Sequence, residues 1–516
     1  MHLKKMKNWS AGYVADVAYT FGYYSELNPL RVDLAFLNQG LVIPNIGAAC
    51  ELGFGQGLSA AMHAAGSVTS WHGTDFNPTQ AGFAQELAAL SGSDAKFYDD
   101  AFADFARRDD LPEFDYIGLH GIWSWISDEN RAVIVDFILR KLKVGGVLYI
   151  SYNTLPGWAA FAPMRHLMAE HTEIMGSEGR GMVSRIDDAL DFANRLLATD
   201  PSFARKNPGI TDRINKLKDK DRHYLAHEYF NRDWAPMHFS TMADWLESAK
   251  LSYACSANYL DSIDGINLTK YQQSLLNEIT NDVFRESVRD FMVDQQFRRD
   301  YWVKGPRRLS PVEQAETMRA QKVILTSHRP DVSLKVTTSL GEAQMGEKIY
   351  GPILDFLASS KIKTLSQVEE ALKSKGINLA QISEAIMVLA AQGHVAPAQE
   401  DSIIQKARKH TDKLNAHICA RARGSAEIVY LASPVTGGGI HVSRFQQCFL
   451  LALRAGHKQP EEWAVYALKI LQAQGQKIIK EGKTLETSDE NLAELIEQAN
   501  NFAEKRLPIL NNLGIA

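Results

Sequence analysis

Residues 50–57 read CELGFGQG: a glutamate closes a short apolar run, and glycines follow at 53, 55 and 57. Position 58 is leucine, so the pattern is GxGxG and not the GxGxxG of dinucleotide-binding enzymes. Glycine has no Cβ, so this turn lets the backbone pass close to a bound nucleoside and the chain attached to it. With GAA before it and LSAAMHAAG after it, the stretch reads as strand, glycine turn and helix. That is the opening of a doubly wound α/β sheet.

The same alternation continues outward from this turn. SWHGTDF (70–76) is expected as a second strand, AKFYDD (95–100) as a third, FDYIGLHG (114–121) as a fourth and VLYISY (147–152) as a fifth. Asn77 caps the helix after the second strand, with Pro78 at its first position. A helix starts near Ser127 with Asp128 and Glu129 in its first turn. Arg140, Lys141 and Lys143 lie near its end, so the charges suit the helix dipole at both ends. Residues 158–236 read as helical and irregular. FSTMADWLESAK (239–250) then reads as an amphipathic helix opening on Ser240. LSYACSANYL (251–260) and FRRDYWVKG (297–305) read as late strands, so one open sheet resumes after a helical insertion. Such an insertion sits over the carboxyl edge of the sheet, where ligands bind in these folds.

The chain of 516 residues is too long for one core. The expected organisation is a Rossmann-like core with an N-terminal cap at 1–160, an insertion or lid at 161–236 and completion of the sheet at 237–306. A linker at 307–345, a winged-helix-like unit at 346–400 and a helical region at 401–516 with one glycine loop, SPVTGGGIHVS (433–443), follow. The net charge is −5, without the basic excess of a general polyanion binder. The segment NLAQISEAIMVLAAQG (378–393), which would be the groove-reading helix, has no basic residue and one acid, Glu384. Nucleic-acid binding is therefore not expected, and a protein-binding or homodimer-forming role suits the region better. No apolar run is long enough to span a bilayer, and none follows the lysines of MHLKKMKNWS. Four scattered cysteines without a CxxC pair fit a reducing cytoplasmic chain and give no structural zinc site.

Glu51, the three glycines, Asp75 and the Asp99–Asp100 pair fall at the ends of three successive strands. Together they point to a nucleoside site. Glu51 can face the ammonium of an amino-acid moiety, Asp75 can accept both ribose hydroxyls, and Asp99 or Asp100 lies near an adenine edge. Residues 45–155 resemble the class I S-adenosylmethionine-dependent methyltransferases. More narrowly, DVAYTFGYY, CELGFGQG, GTDFNP, LHGIWSWISDEN, SYNTLPGW, HEYFN and FRRDYWVKG resemble bacterial methyltransferases that carry a methyltransferase regulatory domain, and among them the rickettsial protein-lysine methyltransferases. The resemblance implies S-adenosylmethionine as cofactor, S-adenosylhomocysteine as product and no metal. It implies Glu51 at the methionine part, Gly53, Gly55 and Gly57 beneath it, Asp75 at the ribose, and Asp99 or Asp100 at the adenine amine, with Phe76 as a further cofactor-binding residue. His120 to Trp123 would lie beside the sulfonium.

The acceptor reading that follows is a lysine side chain of a protein substrate. The alternatives are a hydroxyl on a sugar, lipid or small metabolite, or a regulatory protein that binds the cofactor without turnover. Three aromatic segments can wall the transfer site. They are Tyr19, Tyr23 and Tyr24; His120, Trp123 and Trp125; and Tyr152, Asn153 and Trp158. Within these, Tyr23, His120, Trp123 and Asn153 are the expected catalytic residues, with Trp123 favoured over Trp125 because it is nearer the strand end. Asn153 would accept a hydrogen bond from the incoming amine. HEYFN (227–231) lacks the second histidine of a zinc HExxH site. Its His227 and Glu228 can still face the acceptor cavity.

Overall fold

A computed structural model describes residues 20–176 and 179–516; Tyr19 lies outside them. The centre is a seven-stranded sheet of order β3-β2-β1-β4-β5-β7-β6. Its strands are β1 (Ala48–Leu52), β2 (Ser70–Thr74), β3 (Ala95–Tyr98), β4 (Phe114–Leu119), β5 (Leu142–Asn153), β6 (Leu251–Ser256) and β7 (Phe297–Lys304). Only β7 runs antiparallel to its neighbours β5 and β6. The order reverses between β1 and β4, and this switch point opens a crevice at the carboxyl ends of the strands.

Both faces of the sheet are covered, because successive side chains alternate. On β5, Val147 and Tyr149 enter one core, while Leu148, Ile150 and Tyr152 enter the other. The first core continues into helices Leu58–Gly66 and Pro78–Ser91 and from there into the C-terminal region. The second is closed by helices Asp128–Lys141 and Phe239–Glu247. The caps at Asn77 and Ser127 form as expected: their side chains accept from Thr79 N and Asn130 N. Helix Phe239–Glu247 instead begins after His238, one residue before the expected Ser240, and has no side-chain cap bond. β5 also begins earlier than expected, at Leu142, because a register shift opposite Phe114 and Tyr116 absorbs Gly145 and Gly146 into the ladder.

The insertion packs on a core of its own, formed by helices Ala162–Ile174, Met182–Ala198, Ile210–Lys218 and Arg222–Tyr229. The segment 307–345 is not the linker expected. It holds helix Pro311–Ala320, strand Lys322–Leu325 and the hairpin Lys335–Thr338/Gly341–Gln344. Val323, Ile324 and Leu325 are fully buried; a run of three apolar residues is too short to show a period in the sequence. That strand is the middle of a three-stranded sheet with Lys363–Thr364 and Val395–Pro397. The sheet backs the three expected helices, Glu347–Leu357, Leu365–Leu372 and Leu379–Ala391. Residues after Pro397 pass directly into helix Asp401–Ala422.

The glycine loop at 433–443 is a second correction. Its flanks pair as an antiparallel hairpin, Tyr430–Ser433 with Gly438–His441, and this hairpin lies on helix Leu58–Gly66. Helix Asp401–Ala422 crosses the same helix and its neighbour Pro78–Ser91. All four cysteines are free and buried. Among the described residues, no helix is long and apolar enough to cross a membrane.

Candidate functional site

A cavity of about 360 Å³ opens at the switch point. One wall comes from β1, β2 and the loop after β3. Glu51, the next-to-last residue of β1, lies between Gly73 of β2 and Gly118 of β4. Its carboxyl is buried, and burial followed by the nearby Asp75 raises its pKa to about 8. Its Oε2 has no hydrogen-bond partner among the described residues. Asp75, just past β2, accepts from Gly55 N at 2.9 Å and from Asn77 N at 3.0 Å. Burial outweighs these two bonds and raises its pKa to about 6. These are two buried carboxylates, with Gly53 and Gly55 turning between them.

The glycines are required sterically. Gly53 has φ +72°, and a Cβ there would lie 2.5 Å from Ile122 Cδ1. Gly57 has φ +68°, and a Cβ would meet Ala84 Cβ at 2.5 Å. The left-handed region excludes ordinary side chains independently of these contacts. Gly57 therefore lets helix Leu58–Gly66 pack closely on helix Pro78–Ser91, and of these three glycines Gly53 and Gly55 line the cavity. Phe76 and Asp100 line it too. Asp99 is exposed and turned away, because adjacent residues leaving a strand point to opposite sides. Asp100 is held by Arg108 at 3.0 Å, and that guanidinium lies 3.9 Å above the Tyr98 ring.

The facing wall begins with His120 at the end of β4. Its Nδ1 is 2.7 Å from the Tyr149 hydroxyl, and Tyr24 stacks on its ring at 3.9 Å. Burial lowers its pKa to about 4, against an opposing pull from Glu26, so the imidazole is neutral near pH 7. Trp125 follows it in the wall. Trp123, the tryptophan favoured from the sequence, is fully buried away from the cavity. Its Nε1 donates to Met237 Sδ at 3.3 Å, and its ring meets Trp245 edge-on. The reason is local: residues 123–125 form a 3₁₀ turn, where two steps rotate a side chain by about 240°.

Two further expectations shift in the same way. Tyr23 does not line the cavity. Its hydroxyl is 3.2 Å from His63 Nε2 and its ring packs against Tyr430 at 5.2 Å, so its neighbour Tyr24 takes the cavity position. Asn153 is buried with its Oδ1 accepting from Trp158 Nε1 at 3.2 Å. Its backbone N donates to Ser124 Oγ and its carbonyl accepts from Met237 N. It thus ties β5 to the loop after β4 and does not reach the cavity.

The insertion closes the site. The end of helix Arg222–Tyr229 and the turn after it bring His227, Glu228, Asn231 and Asp233 to the cavity. Burial raises the Glu228 pKa to about 7. HEYFN was the only sequence signal for this contribution, through the placement of the insertion over the carboxyl edge. Asn231, from the end of HEYFN, and Ile122, from the stretch expected beside the sulfonium, line the cavity as well; Asp233 and Gln80 also line it and carry no sequence signal. Among the described residues no group of three or more His, Cys, Asp or Glu could hold a metal ion.

Comparison with known proteins supplies the context. A family model described as "Predicted methyltransferase regulatory domain" matches residues 221–304. A Synechocystis protein, "Uncharacterized protein sll1526", is 40% identical over 513 residues, covering 98% of this chain and 100% of the relative. "Uncharacterized protein RP789" of Rickettsia prowazekii is 26% identical over 294 residues, 55% of this chain and 51% of that protein. The solved structure of PKMT2 from Rickettsia typhi in complex with AdoHcy aligns over 96% of this chain and 99% of that one, with a TM-score of 0.68 at 16% identity. The chain therefore belongs to the same family as the Synechocystis protein, and its fold, a seven-stranded sheet with a regulatory-domain segment, is that of the class I S-adenosylmethionine-dependent methyltransferases.

Proposed function

We propose that the protein transfers the methyl group of S-adenosylmethionine to lysine side chains of a protein substrate. The cofactor supplies a methyl carbon activated by an adjacent sulfonium. The donor wall fits it: the unpartnered Oε2 of Glu51 offers an acceptor for the amino-acid ammonium, Asp75 keeps free lone pairs for the ribose hydroxyls, and Gly53 and Gly55, both at positive φ, line the cavity without side chains. The neighbour in the PKMT2 complex holds AdoHcy on the same fold, which supports this reading.

The observation that carries the acceptor is Glu228. A lysine must lose its proton before it attacks, which calls for a nearby base with a pKa close to working pH. Glu228 lines the same cavity as the donor wall, makes no ion pair among the described residues, and is pushed by burial up to a pKa of about 7. Tyr24 and Trp125 present aromatic surface beside it, which excludes water and attracts a cation. Positioning in line with the reacting bond accounts for the rest of the rate. The motifs shared with the rickettsial protein-lysine methyltransferases point to the same acceptor.

Incubation with methyl-labelled S-adenosylmethionine and bacterial lysate tests the assignment. Label is expected in protein and, after acid hydrolysis, in methyl-lysine. Label partitioning into organic extract would replace lysine with a hydroxyl acceptor. Absence of S-adenosylhomocysteine formation on any acceptor would leave a binding protein.

A further inference from the structure

The hairpin Tyr430–Ser433/Gly438–His441 lies some four hundred residues along the chain from the segment it touches, yet it packs one residue away from the cavity wall. Tyr23 sits between them. Its ring lies 5.2 Å from that of Tyr430, and its hydroxyl meets His63 of helix Leu58–Gly66. The hairpin approaches so closely that side chains are excluded. A Cβ on Gly438 would fall 2.2 Å from the Tyr23 hydroxyl oxygen, and one on Gly439 would fall 2.8 Å from Tyr23 Cδ2 and from Met62 Sδ. Asn28 clasps the same hairpin, donating from Nδ2 to the Thr436 carbonyl at 2.9 Å.

On its other side the segment is held by β7. Arg299 pairs with Glu26 at 2.5 Å, and the Tyr301 hydroxyl donates to the Glu26 carbonyl at 3.0 Å. Between these two clamps, Tyr24 N donates to Ser59 Oγ at 2.9 Å and the Tyr24 ring stacks on His120. Residues that leave a chain in sequence face opposite sides, so fixing Tyr23 against the hairpin turns Tyr24 into the cavity.

We infer that the C-terminal hairpin positions the cavity wall that faces Glu51 and Asp75: Gly438 and Gly439 admit Tyr23, and a seated Tyr23 sets Tyr24 on His120. Gly438, Gly439 and Tyr23 are positioning residues, and the facing wall of the cavity is incomplete without residues 430–441. The role at the donor site rests on the function proposed above; the mechanical link does not.

The test uses the full-length protein carrying Gly438→Leu, with two readouts. In hydrogen–deuterium exchange, peptides covering residues 20–28 should exchange about tenfold faster, while those covering β1 stay as in the parent. In calorimetry, the Kd for S-adenosylhomocysteine should rise about tenfold. The double variant Gly438→Leu/Tyr23→Ala should be no weaker than the worse single variant, because both act through one ring. Unchanged exchange at 20–28, equal acceleration throughout β1, or additive losses would each overturn the inference. Should Gly438→Leu give no soluble protein, Tyr430→Ala, which removes only the ring facing Tyr23, is read by the same criteria. A parent protein that binds no S-adenosylhomocysteine would count against the proposed function, and the exchange readout would still decide the positioning role.

Discussion

The two walls of the central cavity draw on very different lengths of chain. The donor wall takes Glu51, Gly53, Gly55, Asp75 and Asp100, all between residues 51 and 100 and all at consecutive strand ends. The facing wall takes Tyr24, His120, Trp125 and Glu228, spread from residue 24 to residue 228 over four separate elements. The first wall is built by backbone turns and short-range hydrogen bonds, such as Asp75 to Gly55 and Asn77. The second is built by packing: Tyr24 on His120, and the insertion lowered over both. A donor common to a fold can be held by a local motif, whereas a particular acceptor needs surfaces brought from elsewhere.

The largest effect is expected on the donor wall. Asp75→Ala removes a charged acceptor for two hydroxyls, at roughly 1.5–3 kcal/mol per bond, so affinity for S-adenosylhomocysteine should fall by about a hundredfold or more in calorimetry. The circular dichroism of the variant should match the parent. Unchanged affinity would sever the donor wall from the nucleoside.

Next comes the facing wall. Glu228→Gln should lower kcat by about a hundredfold, the scale of a lost general base, and leave cofactor affinity as it was. The pH dependence carries a sign. Burial raises the Glu228 pKa to about 7, so the carboxyl is protonated and inactive below that pH. Turnover in the parent should climb as pH rises through about 7, and the rise should vanish in Glu228→Gln. Weakened cofactor binding with intact kcat would move Glu228 to the donor side.

The smallest catalytic effect sharpens the comparison within one turn. Trp125→Ala should weaken turnover about tenfold, because it opens the cavity wall. Trp123→Ala should lower stability by about 3–5 kcal/mol, visible as a fall in melting temperature, because it empties a fully buried site. The reverse pattern would restore Trp123 as the cavity residue.

Within each wall, the part legible in the sequence is the part with short-range causes. The first three strands, to within two residues at their ends, the Asn77 and Ser127 caps and the GxGxG turn all follow from local propensity and spacing. The strand Lys322–Leu325 reads as linker in the sequence because its pairing partners are residues 363–364 and 395–397, far along the chain. The hairpin at 430–441 looks like a glycine loop in the sequence because its reason for glycine, the closeness of Tyr23, lies at the other end of the chain.

The sequence by itself determined the sheet, its glycine turn and the carboxylates at Glu51 and Asp75, since each depends on neighbours within a few residues. Only the tertiary structure decided which of two adjacent aromatics faces the cavity. Tyr24 and not Tyr23, and Trp125 and not Trp123, line it. A rotation of one or two residues is a small change in the chain, but it is set by what packs behind. Behind Tyr23 are His63 and the hairpin, and behind Trp123 are Met237 and Trp245.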